Sequence, residues 1–103
     1  MPSELEDRAV QIARSVLSGH LTGIEGCWLL CPIVHQAPGM VTEADYKLII
    51  GVGSETDHLP IGRLRDQWHP DFVGEKDREI ARCEALWREQ IRAACERILL
   101  RIA

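Results

Sequence analysis

Aromatic side chains are scarce: one Tyr, one Phe and three Trp make up 5% of 103 residues. Any core must therefore be filled mostly by Leu, Ile, Val and Ala. Basic charge is also short, with 12 Lys and Arg against 16 Asp and Glu and a net charge of −4. Binding to nucleic acid through bulk charge is thereby disfavoured. The longest apolar runs, such as residues 27–34, fall far below the ~20 residues that span a bilayer, so no membrane segment is expected. Glu4, Glu6 and Asp7 stand where a secretory leader would need basic residues. The expected location is the cytoplasm, with Cys27, Cys31, Cys83 and Cys95 reduced and buried in apolar surroundings.

Catalytic motifs are missing as well. The run GVGSET at 51–56 lacks the Lys and the spacing of a phosphate-binding loop. Ser15, Ser18 and Ser54 do not sit in a strained elbow beside a base, and the cysteines read as core, which argues against a nucleophilic triad. Cys27 and Cys31 are one helical turn apart, but three intervening residues are not the two of a redox pair. No cofactor is called for.

What the sequence does contain is helical periodicity. In residues 75–102, Ile80, Cys83, Trp87, Ile91, Ala94, Ile98 and Ile102 recur at steps of three and four, with Cys95 and Leu99 widening the stripe. Arg78, Arg82, Arg88, Glu89, Arg92, Glu96 and Arg101 take the other side. This predicts one long amphipathic helix with Trp87 buried, around which the earlier segments pack.

Ser3 and Glu6 form a capping box ahead of an apolar face of Leu5, Ala9, Ile12, Ala13, Val16 and Leu17, closed by Gly19. A second helix is expected from Thr22 to about His35, weakened by Gly23 and Gly26 and either kinked or stopped at Pro32. A turn follows at residues 37–39. Thr42 caps the next segment, with Glu43 and Asp45 in its first turn. Tyr46, Leu48, Ile49, Ile50 and Val52 would suit a strand, but the cap favours a helix. Gly51 and Gly53 suggest a neighbouring backbone packed close. Residues 54–73 are the least regular, with a turn at 60–62 and a short helix at 62–68 from the Leu64 and Trp68 spacing. The fold class is all-α: a single domain over 1–103, four helices with a possible short fifth, and a long C-terminal helix.

Polar residues that invite a functional reading cluster in that connection. Glu55, His58, Arg63 and Arg65 are the candidate ligand contacts, the arginines suiting a carboxylate or phosphate. Trp68 is a candidate interface anchor. Asp57, His58, His69 and Asp71 have metal-ligand chemistry but no ligand spacing, so a metal site is not expected. His58 with Asp57, or His35 with Glu25, has the composition of an acid–base pair. The plainer reading is turn chemistry plus ion pairs that fix the connection to the bundle, Glu55 with Arg63 or Arg65 among them, and Arg14 with Glu25 in the core.

The stretches IARSVLSGHLTGIEGCWLL, GVGSETDHLPIGRLRDQWHPD and KDREIARCEALWRE together resemble a family of small bacterial proteins, the domain of unknown function DUF2489. The resemblance covers most of the chain, and the block 54–68 is its most distinctive part. It implies a small cytoplasmic helical protein and brings no activity or site residue with it.

Two function classes follow. The first is a non-enzymatic protein-interaction module of immunity or small regulatory type. It would be homodimeric through the last helix, and residues 1–61, with three basic side chains against eight acidic, suit a partner with a basic surface. The second is a small-ligand-binding or enzymatic domain that uses the polar loop 54–71.

Overall fold

Three capped helices of 14 or 15 residues run before one of 33. In the computed structural model the described residues are 3–58 and 70–102, with side chains described from residue 76 onward in the second segment. The helices are α1 (Glu4–Ser18), α2 (Gly23–Gln36), α3 (Glu43–Thr56) and α4 (Pro70–Ile102), with a 3-10 turn at Pro38–Met40. The chain is all-α, as its periodicity predicts, and among the described residues there is no strand. The expected turn at 60–62, the short helix at 62–68, and Arg63, Arg65, Trp68 and His69 lie outside the described residues.

Each short helix starts where a side-chain oxygen accepts an orphan backbone N–H. Ser3 accepts from Glu6 N at 3.1 Å, Thr22 from Glu25 N at 3.1 Å and Thr42 from Asp45 N at 3.1 Å. α1 ends at Gly19, whose φ of 88° is the left-handed conformation that glycine reaches without strain. α4 begins earlier than its stripe suggests, at Pro70. Proline fits a first helical position because its missing N–H would have no partner there.

The helices alternate in direction. α1 lies antiparallel to α4, with Arg92 Nη1 donating to Leu17 O at 3.4 Å. Trp28 meets Thr56 while His35 meets Tyr46, so α2 and α3 are antiparallel. Asp45 meets Arg97 and His58 meets Glu79, which sets α3 antiparallel to α4. The result is an up-down-up-down four-helix bundle.

The core is aliphatic, as aromatic scarcity requires: Ala9, Ala13, Val16, Ile24, Leu30, Ile33, Val34, Ile49, Val52, Ile91 and Ile98, with Cys27 and Cys95. α2 persists through Pro32 to Gln36 instead of stopping. Pro32 is exposed, so the carbonyl it deprives of a donor lies on the water side of the helix. Gly23 and Gly26 are tolerated because they are buried at contacts: a Cβ on Gly26 would run into Val16, and one on Gly23 into Glu84. In α3 the close neighbour of Gly53 is a side chain, the Cys31 sulfur, 2.7 Å from where a Cβ would stand. Gly51 has open space beside it, so the close-backbone expectation fails for both glycines.

Burial along α4 is uneven. Ile91, Ala94, Cys95 and Ile98 are buried, but no described side chain from 76 to 90 is. Trp87 is half-buried against the core's edge, with Ile80 and Cys83, and not enclosed as its stripe position predicts. The reason is length. A helix of 33 residues is ~50 Å long and one of 15 is ~22 Å, so α1–α3 cannot enclose all of α4.

Candidate functional site

The carboxylate of Glu84 on α4 reaches the start of α2. It accepts Gly23 N at 2.6 Å through Oε1 and Ile24 N at 3.1 Å through Oε2. With Thr22 taking Glu25 N, all three first-turn N–H groups of α2 have partners, and the negative charge sits at the positive end of the helix dipole. This is an anion site already filled by the protein itself. Glu84→Ala is expected to lower stability by about 2 kcal/mol, the scale of hydrogen bonds to a charged group, and Glu84→Gln by about half as much. Urea melts read both values.

Among the described residues the buried charge is neither Arg14 nor Glu25. Arg14 is exposed, and the Glu25 carboxylate takes the Thr22 hydroxyl at 3.2 Å. Asp45, 2% exposed, is gripped by the Arg97 fork: Nε to Oδ2 at 2.8 Å and Nη2 to Oδ1 at 2.7 Å. The Arg97 hydrogen bonds hold the Asp45 carboxyl below the ordinary carboxylate range. The sequence carried a signal for Glu84, a carboxylate beside the apolar stripe at Ile80 and Ile91. Asp45 read as an ordinary first-turn acid.

At the far end of α3, His58 Nε2 lies 2.8 Å from Glu79 Oε1, and Lys76 Nζ lies 3.2 Å from Glu79 Oε2. The His58 and Lys76 bonds lower the Glu79 pKa. His58 thus pairs with Glu79 and not with Asp57, and His35 Nδ1 with the Tyr46 hydroxyl at 3.4 Å and not with Glu25. Glu55 is exposed on the last turn of α3. Among the described residues no group of three or more His, Cys, Asp or Glu converges as metal ligands. His69 and the Asp71 side chain lie outside them.

The thiols are not poised for attack. Burial pushes Cys27 and Cys31 up, and takes Cys95 up to about 11. Cys31 Sγ donates to Ile49 O at 3.5 Å, and the described cysteines form no disulfide.

Between α2 and α3 opens a cleft of about 340 Å³, lined by Trp28, Cys31, His35, Ile50, Gly53, Ser54 and Asp57. Trp28 Nε1 donates to Thr56 Oγ1 at 2.7 Å, and that hydroxyl donates to Val52 O at 2.7 Å, which fixes the indole against α3. Cys31 is expected to be buried with the other cysteines, and Trp28 is the one aromatic residue of α2. They are half-buried and wall this cleft instead.

Among the described residues no helix is long and apolar enough to cross a membrane. No family model, curated protein or solved structure matches the chain.

Proposed function

We propose that the chain is a non-enzymatic protein-interaction module, regulatory or immunity-type, that works in the cytoplasm as a homodimer paired along the outer edge of α4. One observation carries this reading. Leu86 and Leu100 are 69% and 85% exposed, and together with Ala93 they follow at steps of seven along one edge of the helix. Large exposed apolar side chains in register on a single helix favour a helical partner.

A second copy suits that edge. A two-fold axis at Ala93 would set Leu86 against Leu100 of the other copy. Ala93 at the centre permits close approach. The acidic excess of residues 1–61 is then left for a partner with a basic surface. The internal commitments of Glu84, Asp45 and Thr56 also favour this reading, because they leave those polar groups to the scaffold. The test is light scattering coupled to gel filtration. The expected mass is twice the chain's 11.6 kDa, falling to one chain when Leu86→Glu and Leu100→Glu are combined. A single-chain mass for the unaltered protein at high micromolar concentration would overturn the pairing.

A further inference from the structure

We propose that the cleft between α2 and α3 binds a small organic ammonium ion, its apolar part against Trp28 and Ile50 and its charge toward Asp57. The site lies away from the outer edge of α4 and does not depend on the dimer.

Three features of the cleft converge on that ligand. Its walls are apolar and stiff. The Trp28 indole is held by Thr56, which is buried and itself tied to Val52 O, so the ring cannot swing out of the way. Gly53 lets α3 close onto α2 beside the cleft, where the Cys31 sulfur stands 2.7 Å from the position a Cβ would take. Among the described lining residues Asp57 is the one carboxylate, and His35, whose Nδ1 lies 3.4 Å from the Tyr46 hydroxyl, is the one imidazole. Asp57 closes α3 at the rim, where the last carbonyls of the helix add partial negative charge, and Ser54 stands one turn earlier. Among the described residues neither Lys nor Arg lines the cleft.

An anion would meet the Asp57 carboxylate and the negative end of a helix. A neutral apolar molecule would leave that end unused. An ammonium group gains the carboxylate and the helix end together, while its apolar part meets the Trp28 ring. The volume sits at the small end of ligand pockets and suits a short alkyl or single-ring amine.

The probe is n-hexylammonium, with hexan-1-ol and hexanoate as neutral and anionic controls. Each is titrated into ¹⁵N-labelled protein, and the Trp28 indole signal is assigned through its loss in Trp28→Phe. Hexylammonium is expected to shift the Trp28 indole and the Ser54 and Asp57 amides with a millimolar Kd. Hexanol should bind about five-fold more weakly, and hexanoate should leave these signals in place. Asp57→Asn should bring hexylammonium to the affinity of hexanol without altering hexanol binding. Asp57 is exposed, and an unchanged circular dichroism spectrum shows that the variant folds. Equal binding of amine and alcohol by the unaltered protein would overturn the proposal. So would an undiminished affinity in Asp57→Asn, or no saturable shift at Trp28.

Discussion

Arg97→Ala is expected to lower stability at neutral pH by about 3 kcal/mol, with a smaller loss as the solution is acidified. The asymmetry of the pair sets the size. Arg97 is half exposed and returns to water if its partner goes, but the Asp45 side chain is almost wholly enclosed. Removing the guanidinium leaves an enclosed carboxylate without its bidentate partner, with only the Thr42 hydrogen bond and the more distant Arg101 charge to support it. Asp45→Ala, which frees the arginine instead, should therefore cost less, about 1–2 kcal/mol.

The pH dependence follows from the direction of the shift. In the unaltered protein the folded-state pKa of Asp45 is depressed. Its contribution is full above the ordinary carboxylate value and is lost as pH falls through the folded value. In Arg97→Ala the largest depressing partner is absent, and burial is opposed only by the Thr42 hydrogen bond and the Arg101 charge, so the folded-state pKa rises from its depressed value and protonation relieves part of the penalty. Urea melts at pH 7 and near pH 4 should show the deficit shrinking on acidification. An equal deficit at both would mean that Asp45 is not the group that suffers.

Ile98→Ala is expected to cost about 3–4 kcal/mol and Ile80→Ala only about 1 kcal/mol, although both residues belong to one stripe on one helix. Ile98 is 1% exposed within the core cluster, and its truncation opens a cavity. Ile80 lies at the core's edge, where the removed atoms are partly replaced by water. A shift in denaturation midpoint at constant slope would measure each loss. Equal losses would contradict the graded burial of α4.

Helix existence was legible in the sequence because local chemistry decides it. Ser3, Thr22 and Thr42 cap their own helices within three residues, and the stripes of α1 and α4 repeat at the helical period. What pairs across the fold was not legible. The partners of Asp45, Gly23 and Trp28 come from 52, 61 and 28 residues away, and no local spacing encodes such a distance. Pro32 and Gly26 argue against α2 on propensity alone, yet Gly26 is needed for the close contact with Val16 and Pro32 stands on the exposed side of the helix. Trp87 is half-buried where its stripe predicts full burial, because a stripe gives a side chain's direction and not the length of what covers it. Of the candidate contacts, His58 is described as the partner of Glu79 and Glu55 as exposed, while Arg63 and Arg65 fall outside the described residues.

The bond from Glu84 to the start of α2 bears on how the protein is made. Translation delivers α1, α2 and α3 before the carboxylate that finishes the second of them. Until that residue docks, two amide protons at Gly23 and Ile24 must be served by solvent. The nascent three-helix portion therefore stays loose, and consolidation waits for the last segment to arrive.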